Sequence, residues 1–181
     1  MTDDPDLLHP VTREALDRLG VAYEVMACDP ALADTAAFVA AYGVPPERSA
    51  NTIVVASKGM DRRHVACVLL ATTSLDVNNV VRREMGVRKA SFAPAEPVRE
   101  LTDMEIGGVT PFGLPLGLPI LVDARVMEPE WIVLGGGNRS SKLRVAPSVL
   151  VSLSSVRVIE GLAFPRAAAT GDSRTGTAVG A

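Results

Sequence analysis

Gly107-Gly108-Val109-Thr110-Pro111-Phe112-Gly113-Leu114-Pro115 is a loop rich in glycine and proline, and the residues downstream of it decide the fold. The apolar run Ile120-Leu121-Val122-Asp123 reads as a strand ending in a lone acid, and a second loop, Gly135-Gly136-Gly137-Asn138-Arg139, comes soon after. Glycine lets the backbone approach a ligand closely and take positive φ. Proline fixes the adjoining geometry. Two such loops joined by strands can line a pocket with peptide N–H groups. A pocket of that kind suits a carbonyl oxygen, a carboxylate or a phosphate.

Upstream, Pro10 to Leu19 reads as a helix with Val11, Ala15, Leu16 and Leu19 on one face and Gly20 at its end. Val21 to Met26 alternates like a strand. Asp34 or Thr35 caps a helix over Ala36 to Tyr42, closed by Gly43. Asn51 to Ala56 is β-branched and strand-like, Lys58-Gly59-Met60-Asp61 a hairpin turn, and Arg63 to Ala71 the returning strand. Ser74-Leu75-Asp76 starts a helix with a stripe of Val77, Val80, Val81 and Met85 and a stop at Gly86. Val87 to Phe92 is extended, and Pro94 to Leu101 is a helix or a turn interrupted by Pro97. Downstream, Trp131 to Leu134, Leu143 to Val145 and Val156 to Ile159 read as strands, with a short helix at Pro147 to Leu153. Many strands on short turns favour one mixed α/β domain, with a central curved, mainly antiparallel sheet flanked by helices, over a doubly wound parallel sheet. The domain is expected over residues 10–163, after a flexible N-terminus (1–9). From 164 to 181 the Ala-, Gly-, Ser- and Thr-rich composition predicts a disordered tail.

The 181 residues are 48% hydrophobic and only 4% aromatic, so the core is expected to be aliphatic. A net charge of −3 does not advertise nucleic-acid binding, and local basic clusters still permit it. Cys28 and Cys67 are unclustered and read as reduced thiols. His9 and His64 are far apart and belong to no ligand motif. There is no Walker loop, dinucleotide fingerprint or nucleophile elbow. No metal or cofactor is expected. The acidic N-terminus and the lack of a long apolar run predict a soluble, cytoplasmic chain without a membrane partner. Chemistry here has to rest on backbone electrostatics and positioning.

In sequence order these pieces resemble the YbaK/EbsC family, free-standing relatives of the prolyl-tRNA synthetase editing domain, over roughly residues 10 to 163. The features are Asn51-Thr52-Ile53-Val54-Val55 at the family's Lys-Thr-Leu-Val-type strand, Asp76-Val77-Asn78 before Gly86-Val87-Arg88-Lys89-Ala90, the Gly107–Gly113 loop, Val122-Asp123, and the loop at 135–137. The resemblance implies a curved, barrel-like sheet and metal-free hydrolysis of the ester in mischarged aminoacyl-tRNA. Mischarged tRNA is then the partner, with an aminoacyl-tRNA synthetase as a second candidate. It places Asn51, Gly108 and Gly136 at the reacting ester. Gly107, Thr110, Pro111, Asp123, Gly135 and Gly137 become substrate-binding positions. Arg139, Lys142 and Arg144, beside the second loop, become candidate tRNA contacts. The family strand carries a lysine used in binding and catalysis, and here Asn51 replaces it, a neutral amide for a full charge. That substitution keeps open an alternative: a non-catalytic module whose pocket holds a small amino-acid-like or nucleotide ligand.

Overall fold

Helix α1 (Pro10–Leu19) starts on a proline, whose missing N–H costs nothing in a first turn, and ends where Gly20 takes φ 61°. Helix α2 (Thr35–Tyr42) follows Asp34 and stops the same way at Gly43, φ 65°. Both ends are those the sequence predicts. A computed structural model describes residues 4–59 and 62–166. Met60 and Asp61 of the expected turn, and 167–181 of the expected tail, lie outside the described residues.

After Asp76 a π-helical turn (Val77–Val81) leads into α3 (Arg82–Glu84), and the Asp76 carboxylate accepts the Asn79 N–H at 3.0 Å. Helix α4 (Ala95–Thr102) runs unbroken through Pro97. Pro97 is its third residue, in the first turn, where a backbone N–H has no intrahelical acceptor to lose.

The strands are β1 (Glu24–Ala27), β2 (Ala50–Ser57), β3 (His64–Leu70), β4 (Thr73–Leu75), β5 (Ala90–Phe92), β6 (Ile120–Asp123), β7 (Ile132–Gly135), β8 (Ser141–Val145), β9 (Val156–Ile159) and β10 (Ala163–Pro165). They form three sheets, ordered β5-β2-β3-β6-β9, β1-β8-β7 and β10-β4. Pairing is mainly antiparallel, as the sequence predicts; β3–β6 and β6–β9 are parallel. The barrel-like expectation needs correction. Closure requires a sheet's edge strands to pair with each other. Here β5 pairs only with β2 and β9 only with β6 among the described residues, so no sheet closes. An isolated parallel bridge, Ser49 to Val133, links the two larger sheets, which share one core. β10 is not legible as a strand in sequence, being three residues long with a proline; it puts Phe164 and Pro165 opposite Ser74 and Thr73. Near the N-terminus, Pro5–Leu7 forms a 3-10 turn that buries Leu8.

From Val65 to Leu70 β3 is apolar and buried because both of its faces are covered. Ala66, Val68 and Leu70 join one core with Leu16, Phe112 and Leu143. Val65, Cys67 and Leu69 join a second core with Val81, Leu121 and Leu162. No helix is long and apolar enough to cross a membrane among the described residues. Burial pushes the Cys67 thiol up to about 12. A pKa raised above the unfolded value means stability is fully present below about 9 and is lost as pH climbs from 9 towards 12. Each unit is worth about 1.4 kcal/mol, so Cys67 withdraws up to roughly 4 kcal/mol across that window. Urea unfolding at pH 8 and pH 10.5 is expected to show a smaller alkaline loss in Cys67→Val than in the wild type.

Candidate functional site

Helix α2, the start of β2, the segment 106–109 and strands β7 and β8 enclose a cavity of about 370 Å³. Its placement follows from strand parity. On β8, Leu143 and Val145 point into the main core, so Lys142 points the other way, under α2. Lys142 is only 6% exposed. Its Nζ donates to Ala33 O at 2.7 Å and Gly107 O at 2.9 Å, and lies 5.3 Å from the centre of the Phe38 ring. An ammonium has three donors, and two are used. Burial lowers the Lys142 pKa, and the Arg139 charge lowers it further, against opposing contributions from Cys28 and Asp34.

Across the cavity, Asn51 Oδ1 accepts the Thr35 hydroxyl at 2.5 Å. Its amide nitrogen has no partner among the described residues. The Thr52 hydroxyl, also on the lining, is buried without a partner among the described residues. Unsatisfied buried polar groups cost stability and mark places where a ligand can complete the hydrogen bonding.

The two glycine loops do meet, but they meet each other. A Cβ on Gly108 would sit 2.0 Å from Asn138 O, and one on Gly135 2.2 Å from Gly108 O. The Gly137 N–H donates to Gly108 O at 2.8 Å. The N–H groups assigned from sequence to a ligand carbonyl are already used: Gly108 donates to Glu105 O at 2.9 Å and Gly136 to Ser141 O at 3.2 Å. Neither residue lines the cavity, whereas Gly107, Val109 and Gly135 do. Gly107 is the third residue of the turn from Glu105 to Gly108 and takes φ 90°, a position that demands glycine. Among the described residues the N–H groups of Gly107 and Val109 have no hydrogen-bond partner.

Several sequence-predicted positions fall elsewhere. Pro111 lines a separate groove of about 230 Å³ with Gly113 and Leu116. Thr110 is fully buried, and its hydroxyl has no hydrogen-bond partner among the described residues. Gly137 packs on Thr12 and His9. Asp123 is 1% exposed and structural: it accepts the Ala163 N–H at 2.8 Å and the Arg125 N–H at 3.1 Å, with Arg125 Nη1 at 3.5 Å. It ties β6 to β10 and lies off the cavity lining. Asp123→Ala strands a buried N–H and is expected to cost about 1–3 kcal/mol, read as a shift in the urea midpoint.

The basic residues of the second loop are also engaged. Arg139 braces the cavity rim, donating to Pro30 O, Ile106 O and Asp34, while its own N–H binds Glu105. Arg144 pairs with Glu24 at 3.2 Å and lies 4.2 Å from the Trp131 ring centre. Sequence reasoning missed Thr35, Phe38 and Phe92 on the lining, and read Lys142 as a surface charge. The alternation Ser141-Lys142-Leu143-Arg144-Val145 does mark Lys142 as facing away from the core. That the opposite face is roofed by α2 is a tertiary fact with no local signal.

The family model of the aminoacyl-tRNA editing domain matches residues 29–153. Among solved structures, a hypothetical protein superposes with a TM-score of 0.74 at 23% identity, covering 83% of this chain and 97% of that one. A protein described as a candidate trans-editing enzyme for prolyl-tRNA synthetase superposes with a TM-score of 0.71 at 24% identity, covering 84% and 97%. At those identities the likeness is one of fold.

Proposed function

The chain belongs to the YbaK-like aminoacyl-tRNA editing family, and from that premise we propose that it hydrolyses the ester of mischarged aminoacyl-tRNA in trans. The observation that carries the proposal is Lys142: a buried ammonium, pinned by two carbonyls, with one donor to spare on the wall of a cavity. Negative charge develops on the carbonyl oxygen of an ester under attack. Fixed donors in a water-poor site stabilise it well because they need no reorganisation. The third Lys142 N–H and the free N–H groups of Gly107 and Val109 fill that role in place of Gly108 and Gly136.

Water adds through its oxygen to the carbonyl carbon. The bond to the ribose oxygen then breaks, and the proton released by the water ends on that oxygen. The products are a free amino acid and a tRNA with its terminal hydroxyl restored. The Asn51 amide, held by Thr35, orients the ribose, and Phe38, Val98 and Val133 surround the amino-acid side chain. The reaction so written uses no metal.

The test is a deacylation assay over a panel of aminoacyl-tRNAs, with and without a chelator. Release of amino acid from at least one mischarged species, unaffected by chelation, is expected. A wild-type protein that binds a non-hydrolysable aminoacyl-adenosine yet cleaves no ester is instead a binding module.

A further inference from the structure

Edge strand β5 carries two features the proposed chemistry leaves unused. Phe92 lines the cavity yet is 57% exposed. Two residues earlier, on the same face, Ala90 lines a second cleft of about 340 Å³ walled by Lys58, Asn78, Arg82, Arg88 and Lys89. All four cations are exposed. None of them has a carboxylate partner among the described residues. Four clustered positive charges stand out on a chain whose net charge is −3.

The cleft is also ordered. Arg82 Nε donates to Asn78 O at 2.7 Å, and the Lys58 N–H to Lys89 O at 3.0 Å, so the end of β2 and the approach to β5 are fastened together. Arg139, Lys142 and Arg144 are spent on carboxylates and carbonyls; of these four only Arg82 meets carbonyls, those of Asn78 and Arg88, and none meets a carboxylate among the described residues. Lys58 follows the last residue of β2, seven positions from Asn51, a span of about 23 Å at the rise of a strand.

We propose that this face of β5 is the docking track for the 3′ arm of the tRNA. With the aminoacyl group in the cavity, a base of the unpaired 3′ end stacks on Phe92. The backbone phosphates beyond it enter the cleft of Lys58, Arg82, Arg88 and Lys89. An exposed aromatic followed by unpaired cations is the arrangement that holds single-stranded RNA, the ring taking a base and the charges the phosphates. The inference rests on the deacylase reading for its substrate and on independent residues for its site.

Its test separates the two. Binding of uncharged tRNA is measured across a salt series for the wild type, Arg82→Glu/Lys89→Glu, Phe92→Ala and Arg18→Glu. Hydrolysis is measured on aminoacyl-tRNA and on the matching aminoacyl-adenosine ester. Arg82→Glu/Lys89→Glu is expected to weaken tRNA binding at least tenfold and to flatten the slope of log K against log salt by about 1.4, the value for two contacts to a single strand. It is expected to leave the adenosine ester untouched. Phe92→Ala is expected to weaken both substrates, and Arg18→Glu, a charge reversal on α1, neither. An unchanged salt slope in the double variant, or equal loss on the adenosine ester, overturns the track. A wild type that cleaves neither ester but binds tRNA through these residues overturns the deacylase reading and leaves the track standing.

Discussion

Lys142→Met is expected to lower kcat for deacylation by about 100- to 1,000-fold, the loss produced by removing one fixed donor at a developing oxyanion. The methionine keeps the apolar stem and removes the charge and all three donors. The ammonium is held at both Ala33 O and Gly107 O, so a fall in activity alone would not separate chemistry from loop bracing. Asn51→Lys on the Lys142→Met background separates them. It returns a cation to the opposite wall of the same cavity without restoring either carbonyl bond. Partial recovery of kcat is expected if the charge acts on the ester. No recovery, with normal stability, would assign Lys142 to bracing.

The pH dependence gives a second readout. The Lys142 pKa is lowered by burial, so the charged form is lost at a lower pH than for an ordinary lysine. Activity is expected to fall as pH rises through that lowered value. Stability runs the other way. Between the lowered pKa and 10.5 the unfolded chain holds the proton and the folded chain does not, so wild-type stability rises with pH relative to Lys142→Met.

The elements legible in the sequence are those whose causes are local. Gly20 and Gly43 end their helices by a backbone geometry available to glycine, and Val65 to Leu70 of β3 form an unbroken apolar run. The misreadings have distant partners. Asp123 is legible as a notable acid, but its partner is the N–H of Ala163, forty positions away on a strand too short to read. Lys142 is legible as a lysine on a strand, but its burial comes from Phe38 and Ala33 more than a hundred residues earlier. The glycine loops read, in sequence, as places where a ligand comes close. Glycine content records that something comes near and not what it is, and here each loop is the other's neighbour.

That distinction makes Gly108→Ala the sharpest test of the site's construction. A donor role for Gly108 would survive the change in principle, because alanine keeps the N–H. A packing role would not. The added Cβ would lie 2.0 Å from Asn138 O, 2.4 Å from its C and 2.7 Å from its N, all backbone atoms that no rotamer change can move. The two loops must part. With them goes the Gly137-to-Gly108 bond at 2.8 Å, and the turn that presents Gly107 to Lys142 shifts. Overpacking against fixed backbone is expected to cost about 3 kcal/mol or more. For a domain of this size that is a fall in Tm of roughly 6–12 °C. Gly86→Ala calibrates the result. Gly86 also has positive φ, 63°, but nothing lies within 4 Å of its missing Cβ, so only the left-handed conformation is penalised, by about 1–2 kcal/mol. If Gly108→Ala melts no lower than Gly86→Ala, the loop–loop contact is not what holds the cavity open. A large drop in Tm accompanied by loss of activity makes Gly108 the hinge pin of the pocket, acting on the ester only through Gly107, Val109 and Lys142.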